Sequence, residues 1–168
     1  MAVAITKESL PLATIQAAVF EFLRERHDVV VFEAQAVNAY VGEPRMTQDI
    51  DLMSIRALEL VEELREYLSQ RFYIAARVRE VKEGQGYRLY QVQKSGNRHL
   101  IDVRQVEYLP LAQPIEQVLV MAPAELIANF AIAKLEYRLY KIVDLLSFDH
   151  SAPKTILLRR TKVFLLLL

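Results

Sequence analysis

The chain has no cysteine among its 168 residues. Disulfides, thiol nucleophiles and thiolate metal sites are therefore excluded. Its three histidines, His27, His99 and His150, are scattered, and no histidine-rich zinc site is expected from them. Net charge is absent as well, with 21 basic residues balancing 21 acidic ones. A global polyanion-binding signature is missing, although a local basic patch stays open. No run of about 18 apolar residues occurs, so no membrane-spanning helix is expected. The start, MAVAITKESLPLA, has neither the charged head nor the long apolar stretch of a secretory signal. A cytoplasmic protein is the expectation. Glycine is scarce, with none before Gly42.

What is present suits a folded core. Apolar residues make up 53% of the chain and charged residues 25%, which fits one domain of ordinary size over residues 1–168. Apolar spacing predicts a helix over 8–27, a buried strand over 28–34, a short helix over 35–41 ending at Gly42, a strand over 49–54 and a helix over 55–72. Three β segments follow, at 73–81, 87–94 and 98–106, the first two joined by a hairpin signal at KEGQG. Residues 109–114 read as a loop and 115–122 as a short apolar segment. Pro123 opens a long helical stretch to residue 148. The expected class is α+β: a mixed sheet with flanking helices over 1–122 and a helical C-terminal part over 123–168.

The stretch RMTQDIDLM carries two acids one residue apart. In a strand, residues i and i+2 share a face, so Asp49 and Asp51 project together while Ile50 and Leu52 enter the core. Two carboxylates about 6–7 Å apart along a strand repel unless a cation lies between them. A hard ion such as Mg²⁺ suits oxygen ligands and is completed by substrate phosphates. Asp102, in HLIDVRQ, also interrupts an apolar strand and is the candidate third acid. The alternative is a chance D-x-D with one acid capping a strand end.

The segment VVVFEAQAVNAYVGEPRMTQDIDLM resembles the nucleotidyltransferase superfamily that includes DNA polymerase β. It is most similar to the AbiEii-type nucleotidyltransferases of bacterial toxin–antitoxin systems. The resemblance rests on Ala36, Val37, Gly42, Arg45, Thr47, Asp49, Ile50, Asp51 and Leu52, with Asp102 and the later PAELIA (123–128) in support. It covers about residues 10–130. It implies a nucleotidyltransferase-like fold and a two-ion Mg²⁺ site, with Asp49 and Asp51 holding both ions and Asp102 the catalytic one. It further implies an NTP substrate and an RNA, protein or small-molecule acceptor. Nucleotide contacts would come from Arg45 and Thr47, and from Glu33, Ala34 and Gln35 at the first strand-to-helix turn. An antitoxin partner is implied as well. Arg45 either reaches a phosphate or pairs with Glu43; Thr47 either orients the turn or only favours the β conformation.

The chain departs from that pattern twice. The family's Gly-Gly falls on Glu33-Ala34, where backbone N–H groups approach the triphosphate. Glu33 either opposes the polyanion, turns away, or adds a metal ligand. The family's lysine seven residues after the proline is Phe130 here, with Lys134 one turn further on, either a substitute or a solvated residue. A tail over 152–168 with four basic residues, no acid and a terminal FLLLL reads as a last core element, a dimerisation or partner segment, or a membrane-surface helix. Three function classes follow: a nucleotidyltransferase, a catalytically degenerate binding module, and an RNA-binding protein. The last would use Tyr73, Tyr87, Tyr90, Arg77, Arg79 and Arg88 on a sheet face.

Overall fold

A computed structural model describes residues 10–81 and 83–146, with side chains described as far as residue 139. Among the described residues, those up to Leu126 form one compact unit and those from Ile127 a second. The expected tail element over 152–168, the first residues of the helix read from residue 8, and the end of the one read to residue 148 lie outside the described residues.

Helix α1 spans Leu12–Leu23 and buries Ile15, Ala18, Val19 and Leu23, one face at helical spacing. It starts later than the apolar pattern suggested. Leu10 precedes Pro11, and a residue before proline is driven out of the helical region. It ends early because Arg24 is extended and Glu25 has φ 59°.

Strand β1 (Val29–Phe32) has all four side chains buried, as expected where a strand is central to a sheet and covered on both faces. Helix α2 (Glu33–Tyr40) follows with no intervening loop. Strand β2 (Ile50–Ser54) returns antiparallel to β1, and α3 (Ala57–Phe72) buries Ala57, Leu60, Val61, Leu64 and Leu68. Strands β3 (Ala76–Val81), β4 (Gly86–Gln91) and β5 (Arg98–Gln105) form an antiparallel meander. Its last strand lies parallel to β2. Strands β6 (Ala112–Ile115) and β7 (Val118–Met121) form a hairpin, and β7 pairs parallel with β1. The seven-stranded mixed sheet has the order β3-β4-β5-β2-β1-β7-β6. With its helices it gives the expected α+β class.

Strand β6 corrects the loop expected over 109–114. Pro114 argues for a loop, yet an edge strand tolerates a residue without an N–H. The β6–β7 turn uses Glu116 and Gln117, both at positive φ (49° and 69°), the conformation that suits a two-residue hairpin.

Helix α4 (Pro123–Leu146) begins with proline at its first position. Among the described residues no helix is long and apolar enough to cross a membrane.

An ion cluster fastens one end of the central strands. The Arg26 guanidinium donates two hydrogen bonds to the Asp28 carboxylate, at 3.0 and 2.8 Å, and a third to Glu63 on α3 at 2.8 Å. Arg56 approaches the same two acids at 3.4 and 3.3 Å. The buried Ser54 hydroxyl donates to the Asp28 carbonyl at 2.7 Å. The opposite end of β1 and β2 is the end that carries the acids.

Candidate active site

Asp49 immediately precedes β2, and Asp51 is its second residue. Their neighbours Ile50 and Leu52 are fully buried, so strand alternation turns both acids to the opposite face. The parallel register sets Asp51 directly beside Asp102 of β5, and neighbouring strands lie about 4.8 Å apart. The same alternation explains Asp102, flanked by the buried Ile101 and Val103. Asp102 thus meets the Asp49–Asp51 pair on the sheet face opposite Ile50, Leu52 and Ile101.

His99 joins them, a residue that belongs to none of the motifs described above. Three residues apart in a regular strand, His99 and Asp102 would face opposite ways. The β4–β5 ladder, however, shifts register: Arg88 pairs with Asp102 and Leu89 with Ile101, but Tyr90 pairs with His99. Leu100 is the extra residue of a β-bulge, and a bulge re-aims the side chains beyond it. His99 therefore shares the face of Asp102. Its Nδ1 lies 3.1 Å from the Asp49 carboxylate and its Nε2 3.1 Å from Asp102. Tyr90 packs beside the ring, centroids 5.2 Å apart. The available sequence signal was the adjacent pair Leu100-Ile101: two consecutive core residues break strict alternation.

A cavity of about 300 Å³ opens beside the acids, lined by Phe32, Glu33, Asp51 and Asp102, by Arg88 and Arg104, and by residues around the β3–β4 turn. Arg88 Nε donates to Asp102 Oδ1 at 2.8 Å. The Arg104 guanidinium sits 4.8 Å over the Phe32 ring and makes a long, 3.8 Å ion pair with Glu33. Burial, then the charges of Glu33, Asp49 and Asp102, push the Asp51 carboxyl up to about 7, against the opposing pull of Arg104. The site carries more negative charge than its arginines offset, the electrostatic condition that a bound cation relieves. Its carboxylate and imidazole donors are also those that divalent ions use, so the residues fit such a group.

Glu33 is the first residue of α2 and has φ 55°. The backbone thus takes the left-handed form that glycine adopts without strain, while carrying a glutamate. Its side chain lines the cavity, so it has not turned away from it. Ala34 is half-buried in the first turn of α2.

Gln35 and Thr47 contact each other: the Gln35 amide donates to the Thr47 hydroxyl. The Gln16 amide donates to the Thr47 carbonyl at 3.1 Å. These bonds tie the segment between α2 and β2 to α1 and α2. Asn38 clasps the backbone of Arg45, donating to its carbonyl at 2.8 Å and accepting from its N–H at 3.1 Å. The Arg45 side chain is exposed. Lys134 is exposed on α4, in the second unit.

The expected aromatic and basic surface is only partly assembled. Tyr73 is the left-handed C-terminal cap of α3 and not a strand residue. Tyr87 packs against the core. Arg77, Arg79, Arg88 and Tyr90 share one face, because Arg77 pairs with Tyr90 and Arg79 with Arg88.

No family model matches the chain, and no curated protein does. Solved structures do match. The Megavirus polyadenylate synthase superposes with a TM-score of 0.58 at 12% identity, covering 71% of this chain and 26% of that one. A Helicobacter pylori protein assigned as a nucleotidyltransferase gives 0.54 at 12% identity, covering 74% and 58%. JHP933 from the same organism gives 0.51 at 12% identity, covering 72% and 57%. The chain spans about a quarter of the viral enzyme and somewhat over half of the two bacterial proteins. At this identity the likeness concerns architecture, and the architecture is the nucleotidyltransferase fold.

Proposed function

We propose that the chain is a metal-dependent nucleotidyltransferase that moves a nucleoside monophosphate from an NTP to an acceptor hydroxyl. The observation that carries this reading is the in-register pairing of Asp51 with Asp102, with Asp49 two residues ahead, on a nucleotidyltransferase fold. Asp49, Asp51 and Asp102 would hold two divalent ions, Mg²⁺ in the all-oxygen case. Such ions, when bound, supply charge neutralisation at the transferring phosphoryl group and ease ionisation of the attacking hydroxyl. Arg104 and Arg88 wall the cavity with donors suited to phosphate oxygens. Gln35 and Thr47 brace the segment that carries Arg45 and Asp49, and the exposed Arg45 is free to extend toward a phosphate. Lys134, one turn beyond the position of Phe130 where the family carries its lysine, would substitute for it as a nucleotide contact. The AbiEii-type affiliation, a bacterial toxin–antitoxin role, an antitoxin partner, a homodimer and a cytoplasmic location belong to the same proposal. The first three are supported by the GEPRMTQDIDL block and the segments around it; the homodimer follows from the apolar tail over 152–168, and the cytoplasmic location from the lack of a long apolar run. An RNA, a protein or a small molecule remains the acceptor class.

The test is incubation with Mg²⁺, each labelled NTP and cellular RNA or protein, comparing the natural chain with Asp51→Asn. Label transfer that the substitution abolishes is expected; the absence of transfer to any acceptor overturns the reading.

One observation favours a second reading, a catalytically degenerate binding module. Glu33 stands in the glycine conformation and lines the cavity beside the acids, where it opposes a polyanion. Tight, metal-dependent NTP binding by the natural chain would exclude that reading.

A further inference from the structure

We propose that Asp49, His99 and Asp102 form a mixed nitrogen–oxygen metal position that selects a first-row transition ion, such as Mn²⁺ or Co²⁺, over Mg²⁺. The inference rests on the metal-dependent reading above and deepens it, since it makes the ion positions of the site chemically unequal.

One ligand atom from each of the three residues lies within 4.8 Å of the others. Two donors about 2.1 Å from a common ion stand roughly 3 Å apart at a right angle and about 4.2 Å apart when opposed. Donor pairs near the 4.8 Å limit would close by roughly 0.6–1.8 Å to share one ion. Asp102 Oδ1 is already engaged by Arg88 at 2.8 Å and His99 at 3.1 Å, which leaves Oδ2 for coordination. Asp49 Oδ2 meets His99 Nδ1 at 3.1 Å. Whichever ring nitrogen turns to the ion, the other keeps a carboxylate partner. That second contact fixes the tautomer and strengthens the ligating nitrogen.

The donor set decides the metal class. Mg²⁺ favours oxygen donors and retains water, whereas imidazole suits later first-row ions. The bulge at Leu100 is the structural cause, because without it His99 would face the core side of β5. Asp51, with the cavity beside it, is left as the all-oxygen partner of the pair.

The full chain, free of nucleotide, is titrated with Mn²⁺, Co²⁺ and Mg²⁺ by calorimetry, with Co²⁺ also followed by its visible absorption. Mn²⁺ and Co²⁺ should bind at least about tenfold more tightly than Mg²⁺, with Co²⁺ giving a spectrum of nitrogen ligation. His99→Gln should weaken the transition ions by roughly 10- to 100-fold, the scale seen when metal-site partners are disturbed, and leave Mg²⁺ nearly unchanged. His99→Asp should move the preference back toward Mg²⁺. Circular dichroism checks that both variants fold. Mn²⁺ affinity that His99→Gln leaves unaltered overturns the inference, even if nucleotidyl transfer is found. His99-dependent metal selection without transfer to any acceptor overturns the proposed activity and leaves the inference standing.

Discussion

Replacing Glu33 with glycine perturbs backbone and charge at one residue. A non-glycine residue in the left-handed region costs roughly 1–2 kcal/mol, and Glu33 lies there with φ 55°. Glycine removes that strain but adds about 0.5–1 kcal/mol of unfolded-chain entropy. The backbone effect on stability should therefore be a gain of about 0–1.5 kcal/mol. The charge effect is larger and appears in binding. A like charge about 4 Å from a phosphate costs on the order of 4 kcal/mol at an effective dielectric of 20. Solvent screening at the half-exposed Glu33 side chain leaves a fraction of this, so Glu33→Gly should tighten Mg²⁺-NTP binding by roughly 10- to 100-fold. Glu33→Gln separates the two effects, since it keeps the strain and removes the charge. Urea unfolding reads stability, and calorimetric titration with Mg²⁺-ATP reads affinity. Loss of more than about 1 kcal/mol of stability in Glu33→Gly would refute the strain argument. Unchanged affinity in both variants would refute the electrostatic one.

Two further predictions concern pH. The Asp51 carboxyl sits at about 7 in the folded chain, above its ordinary value of about 3.9. Its ionisation therefore opposes folding, an effect absent below roughly pH 4 and complete above roughly pH 7. The full shift would correspond to about 4 kcal/mol, which exposure of the side chain reduces to about 1–2 kcal/mol. With chelator present, Asp51→Asn should be more stable than the natural chain by that amount at pH 7, with the gap closing toward pH 4; a constant gap would contradict the assignment. Asp28 shifts the other way: its hydrogen bonds from Arg26 hold its carboxyl below the ordinary value. That stabilisation is present above roughly pH 4 and lost as pH falls through the lowered value. Asp28→Asn should cost about 1–2 kcal/mol at pH 7 and little near pH 2, and equal costs at both pH values would show that the ion cluster is idle.

The acids were legible because strand alternation is local: Asp49 and Asp51 share a face whatever the rest of the chain does. Asp102 was legible only as an acid inside an apolar strand. Its register with Asp51 depends on a parallel crossover through α3, β3 and β4, which no local pattern encodes. His99 was hidden because the bulge at Leu100 exists only in the pairing of β5 with β4. The limits of α1 follow from Pro11 and Arg24, where backbone restriction overrides apolar spacing. Strand β6 was lost for the converse reason, since Pro114 excludes a central strand and not an edge. Glu33 is legible in the sequence as a departure, but its positive φ is not, because only the junction of β1 and α2 without a linker imposes it.

The parallel pairing of β2 with β5 has a kinetic consequence. Asp51 and Asp102 belong to strands that touch only after the intervening α3 and the β3–β4 hairpin have been brought into place. Such non-local pairing comes late, after its loop-closure entropy has been met by local elements. The negative charges converge at that same step, so β5 docks beside β2 against electrostatic repulsion. A cation captured at that moment would lower the barrier as well as the final energy, and the rate of folding would then carry information about the ion.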